Sequence, residues 1–382
     1  MVEEFVVPLT EEEVEKYKAN RPGTWGRCIA FYQQNGDYEG FDIAILGVKE
    51  TRNSYDNIGC EEAPDVVRQE LYKLIKNAGE FKIIDLGNIE KGAKVQDTYI
   101  ATKYVINELL KCKILPVIIG GSHDLTYAQY LAYEDFRKPV HFVVADEKID
   151  LFNTEDTIYD ENFLMKIFTH SPNYLFNFSI IGHQAYYVHD DAIATLERLN
   201  FDSYRLGVLR EKMEDIEPVL RDADFLSFDM QAIRSSDGQG VLNATPNGLY
   251  AEEACQIMRY AGLSNKLTSL GIYQYNPAYD FRFQTAQLVA QMIWYFTDGF
   301  YARKYDNPAD NEEGFLKFTV DISDTDQELI FYKSILSDRW WMQVNDTKEN
   351  KTHLIPCSYN DYKQACRDEI PDKWLKNLAR YS

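Results

Sequence analysis

VHFVVADEKIDL, residues 140–151, is the stretch on which the reading of this chain turns. Its first six residues are apolar almost without interruption, the pattern of a strand covered on both faces rather than of one with a solvated side. The run closes on Asp146, and Asp150 follows, so two carboxylates hang from the end of one strand. The same arrangement recurs: ILPVIIGG (114–121) leads into His123, and FLSFD (225–229) closes on Asp229. Four more short runs, FDIAILGV (41–48), FKIIDLG (81–87), FSIIG (178–182) and LTSLGIY (267–273), read as further strands.

Between these runs, residues 63–79, 97–112 and 251–262 carry apolar side chains at helical spacing, and the first and last of them end in Ala-Gly, a C-cap signal. Strand and helix alternating over about 250 residues predict a three-layer α/β/α fold with a central, mostly parallel sheet. The acidic stretch YDNPADNEEG (305–314) then interrupts the pattern, and β-type runs follow it. The expected organisation is an N-terminal extension over 1–40, the α/β/α domain over 41–304, and a C-terminal appendage over 305–382. Trp340 and Trp341 are expected in the core of that appendage, with a partner contact as the alternative.

Composition narrows the function. Sixty-one Asp and Glu against 40 Lys and Arg give a formal charge of -21, which repels phosphate backbones and anionic lipid, so neither nucleic acid nor a membrane is an expected partner. No run approaches the roughly 18 apolar residues of a membrane span, and the N-terminus lacks the basic start and apolar core of a secretory signal; the expected location is cytoplasmic. The six cysteines show no CxxC or CxxH spacing, which excludes a zinc knuckle and a dense disulfide framework.

In an open parallel sheet, ligands collect at the carboxyl ends of the strands. His123, Asp146, Asp150 and Asp229 all belong there. Three carboxylates and an imidazole on one rim repel unless a cation balances them, and this donor set suits one divalent ion, Mn²⁺ best. The expected cofactor is therefore one such ion or none, beside a small-molecule ligand at the rim.

On these residues the chain resembles the ureohydrolases, the family of arginase, agmatinase and formimidoylglutamase, over roughly residues 40–300. GGSHDLTYAQ (120–129) is similar to the family's Gly-Gly-Asp-His motif, ADEKIDL (145–151) stands where the family has Asp-Ala-His-x-Asp, and SFDMQAIR (227–234) where it has Ser-x-Asp-x-Asp. SLGIYQYNPAYD (269–280) resembles the Glu-x-Asn-Pro segment, and GCEEAPDVVRQEL (59–71) and DLGNI (85–89) resemble its earlier motifs. The resemblance implies a two-metal site. One metal's ligands match His123, Asp146, Asp150 and Asp229, whereas the other would meet Lys148 in place of an imidazole and Gln231 in place of a carboxylate. A protonated Lys cannot ligate and a Gln amide is a weak ligand. Three carboxylates, Lys148 and one divalent ion sum to zero, so Lys148 stands in for the second ion.

Two further departures concern the substrate. The guanidinium-facing carboxylate of the family appears as Gln274, and DENFLMKI (160–167) shows Leu164 and Met165 where a proton-shuttling histidine is expected. The leading expectation is a homologue that lacks two-metal hydrolysis and serves a binding, regulatory or structural role. The alternative is a mononuclear hydrolase of a linear amidine C–N bond, formimidoylglutamase-like, with Lys148 stabilising charge and His183 moving the proton. A rim plugged by the appendage or by Met165 would favour the first. The family resemblance also implies a homo-oligomer.

Overall fold

Each long apolar run becomes a buried strand in the computed structural model, which describes residues 2–54, 56–151, 158–309, 312–323, 327–346 and 351–381. The strands are β1 (Ala30–Phe31), β2 (Ile43–Val48), β3 (Ile83–Ile89), β4 (Leu115–Gly120), β5 (Val140–Ala145), β6 (Leu175–His183), β7 (Asp202–Arg205), β8 (Phe225–Asp229) and β9 (Ser269–Tyr273). They form one sheet in the order β1-β3-β2-β4-β9-β8-β5-β6-β7, and every pairing in it is parallel. Every residue of β2, β3, β4, β5, β8 and β9 is buried.

Alternation along the strands supplies both faces of this sheet. Ile43, Ile45, Val117 and Ile119 pack beneath the helices Ala63–Leu71, Ala251–Leu263 and Gln284–Tyr301. Ala44, Leu46 and Ile118 pack beneath Val95–Lys111 and Leu125–Leu131 on the other side. Helices on both faces make the three-layer α/β/α architecture. Helix Ala63–Leu71 stops before the expected Ala-Gly cap, and Gly79 lies in the loop beyond it at φ +88°.

The first 40 residues are continuous with the sheet: β1 pairs with β3, and Val7 exchanges two backbone hydrogen bonds with Asn88 (2.7 and 2.9 Å). The same edge is held from beneath by Arg68. Its fully buried guanidinium donates to Asp85 (2.8 and 3.0 Å), Asn88 Oδ1 (2.6 Å) and the Gly87 carbonyl (2.8 Å).

The C-terminal appendage is a second sheet, antiparallel, of β10 (Phe315–Ile322), β11 (Gln327–Ser334), β12 (Trp340–Asp346) and β13 (Lys351–Cys357), followed by helices Tyr359–Ala365 and Asp372–Tyr381. It docks at the amino ends of the central strands. Arg221, just before β8, stacks on Trp341 at 4.2 Å and donates to the carbonyls of Trp340 (3.0 Å) and Cys357 (3.3 Å). Lys376 reaches Asp202 at the start of β7 (2.7 Å). Among the described residues, none of the appendage lines the cavity at the carboxyl-end rim. Trp340 and Trp341 are only 8% and 4% exposed: Trp340 packs in the appendage core and Trp341 lies under Arg221 at the seam. No helix among the described residues is long and apolar enough to cross a membrane.

Candidate metal centre

β4 delivers His123 through a turn that requires a glycine. A Cβ on Gly121 would stand 1.9 Å from the Glu50 carbonyl oxygen, and with no side chain there the Ser122 N–H reaches that same oxygen at 3.0 Å. The chain thus sinks inward and leaves His123 fully buried, its ring against Phe163 (centroids 4.6 Å apart) and Tyr273 (5.7 Å). His123 Nε2 lies 2.9 Å from Ser227 Oγ on β8, and Ser227 Oγ lies 2.6 Å from Thr126 Oγ1. This contact fixes the ring and aims Nδ1 at the ends of the strands.

Three carboxylate oxygens face that nitrogen. Asp146 Oδ2 and Asp150 Oδ2 are each 3.3 Å from His123 Nδ1, and Asp229 Oδ2 is 3.1 Å away. Nδ1 is buried without a hydrogen-bond partner. Metal–ligand bonds of about 2.1 Å place neighbouring donor atoms about 3.0 Å apart at right angles and opposite ones about 4.2 Å apart. His123, Asp146 and Asp150 offer ligand atoms within 4.8 Å of one another, a group that could hold a divalent cation, and Asp229 Oδ2 approaches the same nitrogen from β8. The remaining oxygens hold the carboxylates in place: Asp146 Oδ1 accepts from the Lys148 N–H (3.0 Å) and Asp229 Oδ1 from the Gln231 N–H (2.6 Å). Each of these aspartates locks its own loop and turns its other oxygen to the centre.

The electrostatics match. Burial and the neighbouring Asp146 push the Asp150 carboxyl well above its usual range and that of Asp229 up to about 6. Burial opposes charge on His123 as well, yet Asp229 and the other two carboxylates hold its pKa well up. A divalent cation at their focus would displace these protons and relieve the repulsion.

The altered positions lie in the same place. Lys148, Gln231 and Gln274 line one cavity of about 30 Å³ with Asp146, Asp150 and Asp229, room for an ion and about one water. Lys148 Nζ is 3.2 Å from Glu161 Oε1; burial works against its charge, but Glu161, Asp150 and Asp146 outweigh that and raise its pKa. Gln274, with a left-handed backbone at φ +66°, accepts from Asn57 Nδ2 (2.7 Å) and donates to Asp160 Oδ2 (2.8 Å).

Asp160 and Glu161 also line the cavity, and sequence reasoning passed over both. The segment DENFLMKI holds no histidine, and the acidic pair that opens it is the sequence signal for these two residues. His183 lies apart from this wall. It ends β6, buried with neither ring nitrogen hydrogen-bonded, and it is not among the described residues lining the cavity. Burial and Arg205 lower its pKa to about 4, which keeps the ring neutral at physiological pH. Leu164 is buried and Met165 half-buried, and neither is in the described wall, so Met165 does not plug the rim.

Against known proteins, the sequence model of the arginase family matches residues 41–298. The chain belongs to the arginase family. Its curated relatives in that family include the formimidoylglutamase of Streptococcus gordonii, 24% identical over 304 residues that cover 72% of this chain and 90% of that protein. The formimidoylglutamase of Staphylococcus haemolyticus is 28% identical over 271 residues, 66% of this chain and 85% of the relative. Solved structures share the fold: formimidoylglutamase from Bacillus subtilis at a TM-score of 0.63 (21% identity, 77% of this chain and 100% of that one), and Trypanosoma cruzi formiminoglutamase with Mn²⁺ at 0.62 (19% identity, 69% and 95%). In arginase-family terms, the four-donor cluster lies within the matched segment and the appendage outside it.

Proposed function

We propose that this chain is a single-metal hydrolase that cleaves the C–N bond of a linear, formimidoyl-type amidine. The observation that carries this reading is the buried, unpartnered His123 Nδ1 facing three aspartate oxygens at the carboxyl ends of β4, β5 and β8. The names of the curated relatives support the substrate class. The rim supports it as well, because the appendage sits at the other end of the sheet and Met165 is outside the described wall. The expectation of a purely binding or regulatory homologue gives way to this one.

His123, Asp146, Asp150 and Asp229 would hold one ion, Mn²⁺ by donor type, while Lys148 and Gln231 stand where a second would need ligands. When bound, such an ion supplies Lewis acidity and makes water a better nucleophile at neutral pH. In the net reaction the water oxygen joins the amidine carbon, the bond from that carbon to the substituted nitrogen breaks, and formamide and a free amine leave. Lys148 is the cation that the described wall offers to a substrate carboxylate, exchanging Glu161 for it. Parting Lys148 from the half-exposed Glu161 also widens a cavity otherwise sized for an ion and a water. His183 has no part in this scheme.

The test is direct. Mn²⁺-reconstituted chain is incubated with N-formimidoyl-L-glutamate, and formamide and glutamate are quantified. Stoichiometric release that vanishes in His123→Asn is the expected result. No turnover by chain carrying one ion would overturn the proposal and restore a ligand-binding role.

A further inference from the structure

We infer that the chain pairs with a second copy of itself through the edge of the appendage sheet. β10 lies antiparallel to the partner's β10 about a two-fold axis at Thr319, and two four-stranded sheets become one. β10 is an edge strand, whose strand neighbour among the described residues is β11, on one side. Exposed edges are blunted by Pro, by bulges, by shortness or by charge. FLKFTVDI has 8 residues and no Pro, and its register with β11 runs unbroken from Phe315 to Ile322. Charge is present as Lys317 and Asp321, both exposed, but their spacing makes it complementary to itself.

The ladder with β11 decides which backbone groups face outward. The Ile335 N–H donates to the Gly314 carbonyl (3.0 Å), and these two residues stand opposite each other in the register that pairs Phe315 with Ser334. Hydrogen-bonded pairs in an antiparallel ladder fall on alternate residues. Leu316, Phe318, Val320 and Ile322 therefore turn their N–H and C=O towards β11, and Phe315, Lys317, Thr319 and Asp321 turn theirs away from it. A second strand can add to this edge only where outward-facing residues meet outward-facing residues.

Charge selects one register among those that satisfy this rule. With the axis at Thr319, that residue faces the partner's Thr319, Lys317 faces the partner's Asp321, and Asp321 faces the partner's Lys317. Phe318 then meets the partner's Val320, and Leu316, which is 49% exposed, meets the partner's Ile322. An axis at Lys317 or at Asp321 would set like charges against each other, which is destabilising. Inside one copy Asp321 already stands opposite Glu328, and the partner's Lys317 offsets that repulsion. β10 lies outside residues 41–298, so the contact belongs to the appendage and not to the arginase-family domain.

The experiment is sedimentation velocity on the full-length chain, from about 1 to about 100 µM in about 150 mM salt, where a Debye length of about 8 Å screens the charge of -21 that drives copies apart. A dimer that dissociates on dilution is the expected result. Thr319→Pro removes an outward N–H, spares the ladder with β11, and is expected to leave monomer alone. Lys317→Asp sets Asp against Asp twice across the axis and is expected to weaken association about tenfold or more; adding Asp321→Lys restores opposite charges and is expected to bring affinity back to within about threefold. Circular dichroism establishes that each variant folds, and the charge variants decide the matter if the proline variant does not. Monomer at every concentration of the unaltered chain, a dimer that folded Thr319→Pro leaves intact, or a charge-swapped chain as weak as Lys317→Asp would overturn the inference.

Discussion

Replacing Lys148 by His and Gln231 by Asp together should convert a one-ion centre into a two-ion centre. The described cavity wall carries five carboxylates and one ammonium, so a single divalent ion leaves a residual charge of minus two. In the double variant the wall carries six carboxylates and no ammonium, and two divalent ions leave the same minus two. The electrostatic work of seating the second ion is thus offset by the two substitutions. An ammonium about 5 Å from a divalent ion repels it by about 7 kcal/mol at an effective dielectric constant near 20. Pairing with Glu161 at 3.2 Å screens much of this repulsion. If about a third survives, roughly 2 kcal/mol, the second ion is weakened about thirtyfold before its missing ligands are considered. The assay is elemental analysis of Mn per chain after reconstitution and dialysis, on the unaltered chain and on the double variant, with circular dichroism to establish folding. Close to one ion rising to two is the expected result. Two ions on the unaltered chain would refute the reasoning, and so would one ion on a folded double variant.

Three further outcomes are expected. Gly121→Ala should lower Mn²⁺ occupancy and the melting temperature together, because the new methyl meets the Glu50 carbonyl at 1.9 Å and pushes His123 off its focus; a variant that binds one ion normally would contradict the turn's role. The Mn²⁺-dependent rise in melting temperature should grow from about pH 5.5 to 8. Without a cation, the raised pKa values of Asp150, Asp229 and His123 mean that the folded chain holds protons the unfolded chain releases, so these groups make the EDTA-treated protein less stable as pH rises, and a stabilisation by Mn²⁺ that is flat with pH would count against the cluster. Arg68→Met should cost about 3–5 kcal/mol in urea unfolding, because it strands the buried Asp85 carboxylate; a loss under about 1 kcal/mol would show the network to be dispensable.

The convergence of His123, Asp146, Asp150 and Asp229 was legible in the chain because an apolar run that ends in Asp, or in Gly-Gly before His, fixes locally both the strand and the end from which the side chain hangs. β2, β3, β4, β5, β8 and β9 all form where continuous apolarity places them. β1 and β7 were not legible: they have two and four residues, are only partly buried, and owe their strand geometry to neighbours supplied by the rest of the sheet. His183 looked useful because it follows a core strand, yet a strand end alone does not say which way a ring turns, and this one is buried outside the cavity wall.

Sequence by itself determined the layered parallel fold and placed His123, Asp146, Asp150 and Asp229 at strand ends, since apolar periodicity is a property of short runs. Tertiary structure alone decided the rest. Asp160 meets Gln274 across 114 positions of chain, and the appendage docks through Arg221 onto Trp340 across 119, far from the ligand rim. Contacts at such separations follow from how layers pack, and no local pattern encodes them.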